Sequence, residues 1–297
     1  MITFLSGGTG TPKLLRGARF LFSDSDITVI VNTGEDMWYQ QGHLSPDIDT
    51  VLYLFADLLN TESWWGIAGD TFHTHEFLRD LGASDCYLSL GDRDRAVNLL
   101  RAELLDSGLT LTEVTKEIRD RFGLNVTILP MSDTPCTTYV QADEQMIHFQ
   151  EYWVKHRANL AIDNVLYVYE TSPVATKEVL DAISNSELVV IGPSNPITSI
   201  GPILHCDGIR SALADAYVVA ISPFIGDMPI SGPARELMIA SGYQPNSLGV
   251  YEMYAPFVDH FVQDIHDPIY VPSAHKTNTL MSNAQIAADL MRFILNL

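Results

Sequence analysis

Apolar residues in this chain follow two alternating patterns. Short runs apolar at nearly every position occupy residues 2–5, 27–31, 125–129, 137–140, 165–168, 188–191 and 217–221. Between them lie segments with an apolar residue every third or fourth position, among them 14–22, 47–59, 93–105, 112–122, 173–184, 207–214, 232–241 and 281–296. A period near 3.6 predicts amphipathic helices, and continuous apolar runs predict strands buried on both faces, as in a parallel sheet. Strand–helix alternation of this kind predicts an α/β fold with a Rossmann-like, doubly wound, mostly parallel sheet. Residues 45–125 break the alternation and read as mainly helical. With no Pro/Ser/Gly-rich linker around them, they are expected to be an insertion into a core made of residues 1–44 and 126–297. We find no internal repeat and no low-complexity segment.

The first strand runs straight into Gly7, Gly8, Thr9 and Gly10, then Thr11, Pro12 and Lys13. That order predicts a strand, a glycine turn and a helix, with Thr11 as N-cap and Pro12 at the first helical position. Such a turn gathers free N–H groups and the positive end of a helix dipole at one point, which suits phosphate. Lys13 and Arg16 add full charges. The pattern is neither GxxxxGK[ST] nor GxGxxG, because Lys13 stands where the third glycine belongs. A tight turn without ligand remains the plain alternative.

Other strand ends carry polar turns as well. The run 27–31 ends in Asn32-Thr33-Gly34-Glu35-Asp36, where a nicotinamide-dependent enzyme would place an acid directly at the strand end for the ribose. Gly192-Pro193-Ser194-Asn195-Pro196 and Ser222-Pro223-Phe224-Ile225-Gly226 follow two later strands. If those strands are neighbours of the first, the three turns line one crevice. Ser45-Pro46-Asp47-Ile48-Asp49-Thr50 sets two carboxylates at a helix start, either as caps or as magnesium or substrate ligands. Asp92-Arg93-Asp94-Arg95 has the same double reading: caps and surface ion pairs, or Arg93 on a phosphate or polar ring with Asp92 or Asp94 on a hydroxyl. His73 and His75, two apart as on one face of a strand, lack a third ligand for a metal site. Trp38, Trp64 and Trp65 are core candidates that flank the acidic loops.

Charge narrows the chemistry. The 297 residues include 37 acidic and 17 basic side chains, a formal charge of −20, which argues against nucleic acid and anionic membrane as partners. With so few cations, an anionic ligand needs helix N-termini, local cations or a divalent metal. Cys86, Cys136 and Cys206 are scattered and odd in number, the pattern of a reduced, cytoplasmic protein. No apolar run approaches the ~20 residues of a membrane span, and the first one stops at Gly7 with no basic segment before it, unlike a signal peptide.

Read in order, LSGGTGTPKLLRG, VNTGED, HLSPDIDTVLY, WWGIAGDT, LSLGDRD, LPMSDTPCTTYV, HFQEYWVK, IGPSNPITSIGPIL and ISPFIGDMPISGPA closely resemble the 2-phospho-L-lactate transferase family. That family serves coenzyme F-420 biosynthesis in archaea and some bacteria. Cys86-Tyr87 stands where the family pattern has an aromatic pair. The resemblance implies a homodimeric enzyme whose donor is lactyl-2-diphospho-5′-guanosine and whose acceptor is 7,8-didemethyl-8-hydroxy-5-deazariboflavin. The acceptor's ribityl hydroxyl would attack the lactyl-side phosphorus and release GMP with Mg²⁺. By the same resemblance Gly7, Gly8, Thr9, Gly10 and Lys13 hold the diphosphate, and Ser194, Asn195 and Pro196 the guanosine side. Asp49 and Arg93 contact the deazaflavin; Asp49, Asp92 and Arg93 are the catalytic candidates, and Asp36, Asp47 and Asp49 the metal candidates. The competing expectation is a non-enzymatic sugar-nucleotide-binding regulator of the related gluconeogenesis-factor family, which shares the GGTG opening but not the SPDIDT, LGDRD and DTP set.

Overall fold

A computed structural model describes residues 1–297. Seven strands form one sheet: β1 (Ile2–Ser6), β2 (Ile27–Val31), β3 (Thr127–Pro130), β4 (Leu188–Ile191), β5 (Val218–Ile221), β6 (His260–Asp264) and β7 (His275–Thr277). Every neighbouring pair is parallel, and the order across the sheet is β3-β2-β1-β4-β5-β6-β7. This is the doubly wound order of a Rossmann-like fold, with its topological switch between β1 and β4.

Strand side chains alternate between faces, and the two cores follow that alternation. Phe4, Val29, Val190 and Val219 enter one core, while Leu5, Ile30, Ile191 and Ala220 enter the other. The first core is closed by helices α1 (Gly10–Ala18), α2 (Pro46–Phe55) and the C-terminal helix Ala284–Ile294. A Cβ on Gly17 would lie 2.3 Å from the Ala287 carbonyl carbon, so glycine lets α1 meet the C-terminal helix at short range. Three more helices follow α2: α3 (His73–Asp80), α4 (Asp92–Asp106) and α5 (Leu111–Arg121). Thr110 and Glu113 form a reciprocal capping box at the start of α5.

Several details differ from the sequence reading. Runs 137–140 and 165–168 are strands, but they lie outside the parallel sheet, in an antiparallel sheet of Gln145–His148, Thr137–Ala142 and Asn164–Val168. Thr138, Val140 and Ala142 are buried while their neighbours are half-exposed, the alternation of a sheet covered on one face. His73 and His75 lie on α3, not on a strand. Strands β6 and β7 carry no continuous apolar run. Asp264, at the end of β6, instead accepts hydrogen bonds from the backbone of His266 and from Thr279.

Candidate active site

At the switch point the loops after β1 and β4 are stitched together. Ser194 Oγ donates to the Gly7 carbonyl at 2.5 Å and accepts from the Thr11 amide at 3.0 Å. A Cβ on Gly10 would fall 2.0 Å from the Pro193 carbonyl oxygen, and one on Gly192 would fall 2.1 Å from Thr11 Oγ1. Only residues without side chains let these two loops touch. Helix α1 therefore begins at Gly10 with Thr9 as N-cap, and Thr11 is buried as a link to Ser194 rather than serving as the cap. Thr9 makes no side-chain cap and the first turn holds no acid; with the Thr11 amide given to Ser194 and no N–H on Pro12, it is the Gly10 amide at the start of α1 that keeps its capacity for an anion.

Two further stitches bring α2 to the same point. Asp47 accepts from the Gly8 amide at 2.7 Å and from Asn32 Nδ2 at 2.8 Å. Asn32 also donates to the Thr198 carbonyl at 3.1 Å. This explains an amide rather than an acid at the end of β2: it must donate to a carboxylate. Gly8 itself has φ +56°, a left-handed conformation.

A cleft of about 500 Å³ opens over this junction, a size typical of small-molecule sites. Its lining takes Gly8, Thr9, Gly10, Lys13, Ser194 and Asn195 from α1 and the loops after β1 and β4, and Asp47, Asp49, Tyr53, Asp94 and Asn98 from α2 and α4. Gly7 and Pro196 are buried behind the lining. The turn after β5 folds onto Ser247 and Asp267, and only its continuation at Ser231–Gly232–Pro233 reaches the cleft.

The cleft carboxylates differ in their partners. Asp49 is gripped through both oxygens by Arg101, which is 0% exposed and also donates to the His43 carbonyl and to Asn98 Oδ1, each at 3.0 Å. Asp94 takes one hydrogen bond, from the Tyr53 hydroxyl at 2.7 Å. Burial, then the nearby Asp49 charge, pushes its pKa up to about 7. Burial raises Asp47 to about 6. Glu35 accepts from Gln150 Nε2 at 2.5 Å and is raised well above the usual carboxylate range by burial and then by Asp47.

Several candidates from the sequence lie elsewhere. Asp92 and Asp94 are two apart on a helix, about 200° around its axis, and only Asp94 lines the cleft. Asp92 caps α3, accepting from Thr71 Oγ1 at 2.6 Å and from the Thr74 amide at 2.9 Å, contacts that lower its pKa. In return Asp70, ahead of α3, accepts from the Arg93 and Asp94 amides at 3.0 Å and caps α4. The Arg93 side chain is exposed and outside the cleft. Asp36 accepts from Ser45 Oγ at 2.6 Å and lines the adjoining hollow, while its neighbour Glu35 lines the cleft. Glu35 and Arg101 are thus site residues that sequence reasoning did not single out, and Asp94 is one that it offered only as an alternative to Asp92. The acid pair in VNTGED and the DRD triplet held Glu35 and Asp94 without indicating which member faces inward.

No three His, Cys, Asp or Glu side chains converge as a ready-made metal cage. Glu35 and Asp47 nonetheless fit a magnesium ion: two hard-oxygen ligands, each raised in pKa, beside a loop suited to phosphate. Asp49 fits less well, because Arg101 already compensates it.

Comparison with known proteins adds the identity of the scaffold. A family model described as 2-phospho-L-lactate transferase CofD matches residues 2–293. A 2-phospho-L-lactate transferase of Methanospirillum hungatei is 58% identical over 295 residues, covering 99% of this chain and 99% of the relative. One from Methanocorpusculum labreanum is 51% identical over 294 residues, covering 98% and 96%. Among solved structures, a UPF0052-family protein of Bacillus halodurans superimposes with a TM-score of 0.60 at 18% identity, over 91% of this chain and 81% of that one, and shares the fold. No helix is long and apolar enough to cross a membrane.

Proposed function

We infer the reaction from one premise: the chain belongs to the 2-phospho-L-lactate transferase family, and is an enzyme that transfers a phosphate-containing group. Its role is in coenzyme F-420 biosynthesis. The donor is lactyl-2-diphospho-5′-guanosine and the acceptor 7,8-didemethyl-8-hydroxy-5-deazariboflavin. The observation that carries this reading is a single cleft lined both by a glycine turn at a helix N-terminus with Lys13 and by a lightly held carboxylate, Asp94.

The ribityl hydroxyl oxygen forms a bond to the lactyl-side phosphorus as the bond from that phosphorus to the bridging oxygen breaks. GMP leaves with the bridging oxygen. Asp94 takes the hydroxyl proton, and Asp49, immobilised by Arg101, orients the acceptor's hydroxyls. The first turn of α1 and Lys13 hold the diphosphate in line, and positioning of this kind supplies much of the catalysis in phosphoryl transfer. Glu35 and Asp47 would hold magnesium, which supplies neutralisation of diphosphate charge when bound.

Incubation with both substrates should release GMP, and omission of either should release none; absence of both GMP release and guanosine diphosphate binding would reject the reading. Valine at position 8 cannot sit comfortably at φ +56°, and its Cβ would lie 3.0 Å from Ser199 Oγ. Gly8→Val should therefore weaken guanosine diphosphate binding by about tenfold or more, at a cost of ~1–3 kcal/mol of local strain. Wild-type affinity in the folded variant would remove the loop from the site.

Magnesium can be tested separately. A chelator should abolish GMP release without unfolding the protein, and added Mg²⁺ should restore it. Calorimetric titration of Mg²⁺ into the guanosine diphosphate complex should show weaker binding for Glu35→Gln than for wild type. Full turnover in metal-free protein would leave the cations and helix N-terminus to carry the charge alone.

A further inference from the structure

Lys13 and Arg16 lie one turn apart on α1, and neither takes part in any ion pair of this acidic protein. The contrast with Arg19, on the same helix, is sharp. Arg19 is paired with Asp24 at 3.2 Å and Asp57 at 2.7 Å. What Lys13 and Arg16 meet is a ring: Lys13 Nζ lies 5.3 Å and the Arg16 guanidinium carbon 4.8 Å from the centre of Trp64. Arg16 Nε is shut off from solvent with no acceptor at all.

Trp64 is placed there by its loop. Asn60 Oδ1 accepts from the Glu62 amide at 3.0 Å, and the Trp64 amide donates to the Asn60 carbonyl at 2.8 Å. The turn leaves Trp64 at φ +63°, a conformation that L side chains seldom adopt, with its indole 9% exposed and lining the cleft. A backbone held in a disfavoured region at a cleft wall is a feature that packing alone rarely requires.

We propose that Trp64 is a positioning residue for donor binding: its ring holds Lys13 and Arg16 in place of a carboxylate, so their charge stays available to the phosphates. This rests on the reading of the cleft as a nucleotide-diphosphate site. An aspartate at the same place would also fix the two cations, but it would neutralise them. An aromatic face attracts a cation through its quadrupole while carrying no net charge. Burial and the adjacent Arg16 charge lower the pKa of Lys13, in keeping with an ammonium that lacks an anionic partner.

The test is a double-mutant cycle read by calorimetric titration of guanosine diphosphate. Trp64→Leu should weaken binding about tenfold and Trp64→Phe less than about threefold, since phenylalanine retains a ring face. In a Lys13→Met, Arg16→Met background Trp64→Leu should cost little more, because the residues through which it acts are gone. Equal losses in both backgrounds would overturn the inference while leaving the nucleotide site standing. A wild-type protein that binds no guanosine diphosphate would overturn both. A second measurement needs no variant that might fail to fold: in the wild type, nuclear magnetic resonance should show the Lys13 ε-methylene shifted upfield by the indole ring current. An unshifted resonance would also overturn the proposal.

Discussion

Asp94→Asn is expected to lower GMP release by about 10²–10⁴-fold, the range set by loss of a general base, with guanosine diphosphate affinity nearly unchanged. Asparagine matches aspartate in shape and can still accept from Tyr53, so the substitution removes proton-accepting capacity and little else. The pH profile separates this role from a structural one. A base works in its ionised form, and in the folded protein Asp94 is held up to about 7 by burial and the Asp49 charge. Turnover should therefore fall tenfold per pH unit below about 7 and level off above it, and the residual rate of the asparagine variant should lose this step. A variant that keeps both the rate and the step would assign the proton to another group.

Arg101→Met should be the most damaging substitution for stability. The guanidinium is wholly buried and gives Asp49 two hydrogen bonds, so its removal strands a buried charge. Breaking a buried pair from one side costs about 3–5 kcal/mol, which for a chain of this size corresponds to a melting temperature lower by roughly 5–8 °C. The loss should be larger at pH 8 than at pH 4, because at low pH the stranded Asp49 can accept a proton. Asp49→Asn in the same background should recover most of the loss. Equal stability of Arg101→Met and wild type would mean that the pair contributes nothing net to the fold.

How far the sequence foretold this molecule depended on whether the signal was local. Residues 27–31, 188–191 and 217–221 announced central strands because both faces of each are buried. His260–Asp264 did not, because its last residues serve a turn rather than a core. The glycine turn and its helix were legible, but the cap moved from Thr11 to Thr9 because Ser194, 183 positions away, claims Thr11. Which of Asp92 and Asp94 faces the cleft depends on how α4 is rolled against α2, a tertiary fact with no local trace. The same holds for Arg101, which in sequence is one arginine in an ordinary helix and in space is the counter-charge of Asp49, 52 positions away.

The exchanged caps of α3 and α4 have a consequence for how this wall of the cleft comes apart. Asp92 belongs to the first turn of α4 yet satisfies the start of α3, and Asp70 precedes α3 yet satisfies the start of α4. Neither helix end can fray without baring amide donors on the other. The two ends therefore form one unit of local unfolding, and Asp94, two residues into that unit, keeps its place only while both helices stay wound.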